Sequence, residues 1–387
     1  MFKLQDLLDI DLLQKHIEDG YVNKQTHPVL PLYIMNYSQL AQFSSKWGDG
    51  TIDYCRGLIV DGQNNIISRP FKKFHNLNTP SIPETMEANL PTTEPTVTQK
   101  LDGSLGIHYA YDGFEGIATR GSFTSPQAKW ATANYNARKA ARRVLSDNPF
   151  SGVQKIYWIP GFTPLFEIIY PENRIVVQYD FSDIVLIGMV DIFDGHEAPY
   201  WMLKDSAKYN DFRVVEQLKN IPLDVLKNNN VENEEGYVLS YPKIDEPLKV
   251  KVKMADYLRL HRVVTGMNAH SVWELLKTDA DLSKFETGYP EHFTKWLKQW
   301  VNKLQTQFVE ISDTAFHLYE HRPLDNCSDA REYRKKCALY FLAQPRQDVK
   351  GLFFMLLDEK GPHEFCQAAW DLIEPRGDDK TFREDGQ

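Results

Sequence analysis

Apolar residues recur at helical spacing at the start of the chain (Leu4, Leu7, Leu8, Leu12, Leu13) and predict one short amphipathic helix. The period then shortens to that of strands. A proline-punctuated strand is expected over 30–37, and Asp53 to Gly62 reads as a strand running into a turn, with Arg56-Gly57 just before its apolar run. The β-branched run Thr96-Val97-Thr98 leads to Lys100, Asp102-Gly103 turns the chain, and 105–109 resumes as a strand. A second turn at Asp112-Gly113 and the run 116–119 extend this to an antiparallel sheet. Residues 126–146 read as a helix, and 165–170 and 173–177 as strands. The run 183–193 is the most apolar strand, one expected to be buried on both faces. Strand signals return at 234–240, and 248–253 alternates strictly, placing Lys249, Lys251 and Lys253 on one face.

From Asp256 the texture becomes helical. Apolar residues at helical spacing mark 291–320, with further helices over 328–341 and 348–357 and a polar, loose tail after about residue 375. The pattern predicts a mixed α/β (α+β) chain: an antiparallel-sheet domain over 1–255, then an all-helical domain over 256–387. The chain shows no internal repeat and no low-complexity tract.

Composition adds bounds to this outline. A length of 387 residues, 42% apolar and 25% charged, suits two globular domains. No run of about 18 apolar residues occurs, and the start lacks a basic-then-apolar leader, so a soluble, cytoplasmic protein without a membrane partner is expected. Cys55, Cys327, Cys337 and Cys366 lie far apart with no C-x-x-C pair, which suggests neither a disulfide framework nor a zinc site. A net charge of −9 argues against indiscriminate coating of nucleic acid, yet leaves room for a local basic groove.

The candidate chemistry begins at Lys100, an amine at the end of a strand and the start of a tight turn. Each candidate also has a plainer reading: Lys-x-Asp-Gly as a solvated hairpin turn, Arg56 as a surface ion pair, the lysine strand as an amphipathic surface. The stretch 68–78 interleaves Arg69, Lys72 and Lys73 with aromatics, as a basic loop or as a phosphate and base-stacking surface. The helix 126–146 carries Lys129, Arg138, Lys139, Arg142 and Arg143, a solvated face or an RNA contact. Glu167 stands inside an apolar run, where an acid needs a partner or a cation. Glu234 and Glu235 sit where a strand begins. Together these residues fit nucleotide transfer from a triphosphate, a reaction governed by positioning and charge neutralisation. An unperturbed lysine is neutral in only roughly one molecule in a few thousand at pH 7. Cations around Lys100, namely a divalent metal, Lys251 and Lys253, are therefore expected to lower its pKa.

In order and wording these segments resemble an ATP-dependent RNA ligase of the phage tRNA-repair type, the ligase-one family of covalent nucleotidyltransferases, over about residues 30–261. The residues that carry the resemblance are Lys100-Leu101-Asp102-Gly103-Ser104, Ser68-Arg69-Pro70 with Lys73-Phe74 and Asn76-Leu77-Asn78, Glu235-Gly236-Tyr237, and Lys251-x-Lys253 followed by Tyr257 and Leu260-His261. The resemblance implies a nucleotidyltransferase fold in which Lys100 attacks the α-phosphate of ATP and becomes lysyl-AMP. It implies that Arg56 and Glu167 hold the ribose end and that Glu235 binds Mg2+ (Mn2+ as the alternative ion), with Glu167 assisting. Lys251 and Lys253 would grip the α-phosphate and leaving pyrophosphate, and Lys73 and Arg120 would contact phosphates or the RNA end. The implied partners are RNA ends, a 5′-phosphate and a 3′-hydroxyl, in RNA repair, in infected-cell cytoplasm for a phage-encoded chain; no protein partner is implied. Arg120 stands where the family can carry lysine, His75 replaces an aromatic, and the helical part does not match the family's tRNA-specific domain. A DNA ligase or capping enzyme shares this chemistry but carries an appended β-barrel. An inactive RNA-end-binding or attachment protein is the alternative from another class.

Overall fold

The leucines at the start of the chain form two helices, α1 (Leu4–Leu7) and α2 (Ile10–Glu18), where the sequence pattern predicts one. Asp9 separates them because its carboxylate caps α2, accepting from the amides of Asp11 at 2.9 Å and Leu12 at 3.0 Å. The computed structural model describes residues 2–147, 154–219, 221–243, 246–285, 289–323 and 329–376. Cys327, Ser328 and the polar tail from 377 onward fall outside the described residues.

The chain divides into two units, Met1–Arg259 and Leu260–Gln387. In the first unit, β1 (Val22–Thr26), β2 (Leu32–Tyr37), β3 (Arg56–Asp61) and β4 (Ile66–Ser68) form an antiparallel sheet in that order. Helix α3 (Gln39–Phe43) lies between β2 and β3 along the chain. A register shift between Met35 and Asn36 sets Arg56 opposite Asn36, beside Tyr37.

The next strands along the chain are β5 (His75–Asn76), β6 (Thr96–Lys100), β7 (Ser104–Tyr111), β8 (Phe114–Thr119), β9 (Phe162–Ile169) and β10 (Asp183–Asp191). They are followed by β11 (Gln217–Leu218), β12 (Gly236–Tyr241) and β13 (Leu248–Lys253). One four-stranded sheet has the order β10-β9-β7-β8, and a five-stranded sheet has the order β11-β6-β12-β13-β5. The single parallel pair among the described strands joins β13 to β5. β10 is buried along nearly its whole length, as its apolar run predicts.

Helix α4 (Pro126–Ser146) matches its predicted span; Ser125 caps it and proline opens it. Its small buried face, Ala128 and Ala131 with Tyr135, lets it lie against the sheet near Phe166 and Leu186. Three of its cations are spent on structure: Arg138 pairs with Asp183 at 2.8 Å, Lys139 with Glu115 at 2.5 Å, and Arg142 donates to the carbonyls of Gln154 and Tyr209. Helices α5 (Tyr200–Asn210) and α6 (Leu223–Asn228) complete this unit.

Helix α7 (Ala255–Gly266) spans the division between the units. Beyond it come α8 (Ala269–Lys277), α9 (Glu291–Glu320), α10 (Ala330–Leu342), α11 (Lys350–Leu357) and α12 (Pro362–Leu372). Val272, Phe293 and Leu297 centre one apolar cluster, and Phe341, Phe353 and Phe365 another. A fully buried Phe contributes about 1.5–3 kcal/mol, so these rings dominate the second unit's core. Among the described residues no helix is long and apolar enough to cross a membrane.

Candidate active site

The five-stranded sheet sets the site by register. Lys100 at the end of β6 lies opposite Gly236, and Gly236 lies opposite Lys253, so three strands bring their ends to one level. Glu235, immediately before β12, is only 3% exposed. Its Oε2 receives Lys100 Nζ at 2.6 Å and its Oε1 lies 2.8 Å from Lys253 Nζ. The backbone can come this close because of Gly236: its φ is +141°, and a Cβ there would stand 2.0 Å from the Val252 carbonyl oxygen. Gly103 has a similar role on the other side, where a Cβ would meet the Ile168 carbonyl at 2.5 Å and Glu167 Cγ at 3.1 Å.

Electrostatics here depart from the sequence expectation. Burial acts to lower the Lys100 pKa, but Glu235 and Glu167 outweigh it and hold the ammonium above the ordinary lysine range. The predicted lowering falls on Lys251 instead, which burial together with Lys73, Lys100, Arg56 and Lys253 pushes well down. The reason is local: Lys100 ends in the grip of a carboxylate, while Lys251 faces mainly cations. Glu167, set within β9, is raised to about 7 by burial and by Glu235 and Asp102, against the pull of Lys100 and Arg56. Glu235 stays below its usual range, because Lys100 and Lys253 overcome the effect of burial.

Arg56, Lys73 and Arg120 converge on one phenol. Arg120 Nη1 donates to the Tyr37 hydroxyl at 2.9 Å and Lys73 Nζ at 3.2 Å. Burial opposes ionisation of Tyr37, yet Arg120, Arg56 and Lys73 together bring its pKa below the ordinary value. Lys73 also lies 4.6 Å from the Trp47 ring centroid, and the Phe74 ring faces Arg56 at 5.2 Å and Lys251 at 5.1 Å. His75 is driven down to about 4 by burial, Lys73 and Lys251, so it is neutral at pH 7 and packs edge-on against Trp47. Contacts and mutual charge thus link all eight sequence candidates, Arg56, Lys73, Lys100, Arg120, Glu167, Glu235, Lys251 and Lys253.

Two neighbours in the basic stretch do not join them. Arg69, 4% exposed, pairs with Glu246 and donates to the carbonyls of Ile192 and Phe193 at 3.1 and 3.0 Å; Lys72 lies 2.9 Å from the same Glu246. Of the three cations read as a phosphate surface, only Lys73 reaches the site. Sequence reasoning overlooked Tyr37, which at the end of a largely apolar, proline-punctuated strand looks like core. It also saw in Asp102 only a turn. Its buried carboxylate accepts from the amides of Val176 and Val177, both at 2.8 Å, and from the Tyr257 hydroxyl at 2.8 Å.

The strands thus present a strand-end lysine to a buried acid in the neighbourhood of several cations. A family model described as RNA ligase matches residues 54–258, more than half of the chain, and the chain belongs to that family. It is 30% identical over 228 residues to a Thermovibrio ammonificans protein provisionally named an RNA ligase, covering 55% of this chain and 54% of that one. To RNA ligase 1 of bacteriophage TS2126 it is 26% identical over 147 residues, 36% of this chain and 35% of the phage protein. The chain therefore spans about half the length, or less, of these curated relatives. Among solved structures, an archaeal ATP-dependent RNA ligase aligns over 79% of this chain and 80% of its own, with a TM-score of 0.46 and 14% identity.

Proposed function

We propose that the chain is an ATP-dependent RNA ligase that works through lysyl-AMP. The observation that carries this reading is the row formed by Lys100, Glu235 and Lys253, with Nζ atoms 2.6 and 2.8 Å from the two oxygens of one buried carboxylate. Lys100 Nζ forms a bond to the α-phosphorus of ATP as the bond to pyrophosphate breaks. AMP then passes to an RNA 5′-phosphate, releasing Lys100, and an RNA 3′-hydroxyl displaces AMP to seal the strand. Lys251 and Lys253, both on β13 across β12 from the nucleophile, offset charge on the α-phosphate and the leaving group. Arg56, Lys73 and Arg120, gathered on Tyr37, form an anion site for the phosphates of ATP or the RNA end. Arg56 and Glu167, close enough to feel each other's charge, suit the ribose end.

Two carboxylates suit a divalent ion. Among the described residues no group of three or more His, Cys, Asp or Glu side chains is placed to hold a metal. Glu167 and Glu235 are electrostatically coupled, and Mg2+ typically takes one or two carboxylates, completing its shell with water and substrate phosphates. Glu235 and Glu167 would hold Mg2+ or Mn2+, which supplies charge neutralisation and Lewis acidity at the triphosphate. The chain's own task is to release Lys100 from Glu235, since an ammonium held by a carboxylate has no free electron pair.

Every described element from Ala255 onward is helical, which favours this reading over a DNA ligase or capping enzyme with an appended β-barrel. The proposed role is RNA repair in the cytoplasm, with unit 1 as the adenylyltransferase and the helical unit contributing to substrate choice; tRNA as the repaired strand, and a phage-encoded origin, rest on the family resemblance alone. The test is incubation with ATP labelled at the α-phosphate and Mg2+, followed by denaturation. Wild type should carry acid-labile label and Lys100→Ala none. Label retained on Lys100→Ala, or none on folded wild type shown not to be already adenylated, overturns the proposal.

A further inference from the structure

Tyr257 lies in the first turn of α7, four residues past Lys253, and is 3% exposed. Its hydroxyl donates to Asp102 Oδ1 at 2.8 Å, and its ring faces Lys253, with Nζ 4.9 Å from the centroid. The other Asp102 oxygen is taken by the amides of Val176 and Val177, and the Asp102 amide donates to the Tyr179 hydroxyl at 2.8 Å. These contacts close a ring: Lys100 to Glu235, Glu235 to Lys253, Lys253 to Tyr257, Tyr257 to Asp102, and Asp102 back through one residue of chain to Lys100.

We propose that Tyr257 is a positioning residue for lysyl-AMP formation, one side chain that fixes both the turn carrying the nucleophile and the ammonium of Lys253. The inference rests on the reading of Lys100 as the nucleophile. A lysine stem has four rotatable bonds, and one carboxylate contact does not fix its head; the Tyr257 ring supplies a second point of attachment through the cation–π attraction. With Lys253 fixed, Glu235 is shared between two lysines. Without it, both Glu235 oxygens are available to Lys100, which then stays bound to the acid when it should turn to the phosphorus. The hydroxyl serves the turn: in its absence Asp102 Oδ1 loses this donor while Oδ2 keeps both amides. Ring and hydroxyl therefore have separable effects.

The experiment compares Tyr257→Leu, which removes both contacts, with Tyr257→Phe, which keeps the ring. Single-turnover transfer of α-labelled AMP to the full-length protein is followed across ATP concentrations, with melting temperature as a control; Tyr257→Met substitutes for Leu if that variant does not fold. The expected result for Tyr257→Leu is a maximal rate lower on the order of tenfold, matching the upper half of the cation–π range, with half-saturating ATP within about twofold of wild type. Tyr257→Phe should recover most of that rate. Equal loss in Phe and Leu, a loss that disappears when variants are assayed equally far below their melting temperatures, or wild-type rates in both would each overturn the proposal. Failure of wild type itself to take label would instead overturn the underlying reading, and this inference with it.

Discussion

Glu235 holds Lys100 and Lys253 at once, and this sharing sets what single substitutions should do. Glu235→Gln removes the largest charge that raises the Lys100 pKa, leaving only Glu167 and Asp102 against the lowering effect of burial. The amine should become more reactive toward a simple acylating reagent at pH 8, read by mass spectrometry of the Lys100 peptide. Adenylation by ATP should fall on the order of a hundredfold or more, as when one charge-stabilising group is removed from an active site. Opposite movements of the two rates would separate nucleophilicity from catalysis. Glu167 gives a second test. Its pKa is raised to about 7, so with Glu167 as the proposed metal ligand the proton and a divalent cation would compete for it in the neutral range. Mn2+ affinity should therefore weaken as pH falls through 7, with proton release on binding at pH 6.5. Calorimetry in two buffers of different ionisation heat measures that release.

At the scale of elements, the site depends on the register of β6, β12 and β13. Gly236→Ala places a Cβ within 2.0 Å of a backbone oxygen at φ +141°, so the strand ends must part. Self-adenylation should be lost and the melting temperature lowered. The loop before β5 gives the contrasting case. Glu246→Gln leaves the buried Arg69 without its counter-charge, which costs roughly 3 kcal/mol for a buried pair. The melt should drop by several degrees, while the adenylation rate of the folded protein stays near wild type, because neither Arg69 nor Glu246 belongs to the row around Lys100. A lost rate in the folded Glu246→Gln protein would show that this pair supports the site after all.

Over the whole molecule, a net charge of −9 coexists with a tight knot of cations around Tyr37. Binding of an RNA end should be local and weakly salt-dependent. With Arg56, Lys73 and Arg120 as the contacts, the slope of log K against log salt should be about −2, since each neutralised phosphate of a single strand contributes about 0.7. A titration giving a slope several times steeper would mean that a wider surface, beyond these three, takes part.

The sequence by itself determined most element types and the chemical cast; the strand expected over 173–177 is instead a 3-10 turn (Pro171–Asn173) and irregular chain, because Val176 and Val177 give their amides to the Asp102 carboxylate rather than to a neighbouring strand. Strict alternation in 248–253 appears as the burial pattern of β13, and the helices over 126–146 and 291–320 have the spans their patterns predict, because one-sided burial imposes a period that needs only local residues to be seen. Lys100, Glu235 and Lys253 were legible because their motifs lie on strands that β-branched and apolar residues announce. Tertiary structure alone decided which charges meet. Arg69 and Lys73 look alike in sequence, yet one is bound to Glu246 and the other reaches Tyr37. The direction of the Lys100 pKa, and the identities of Tyr37 and Tyr257 as partners, were hidden for the same physical reason. Charge and hydrogen bonding act between side chains brought together by strand register from positions as far apart as Asp102 and Tyr257, and no local pattern records that distance.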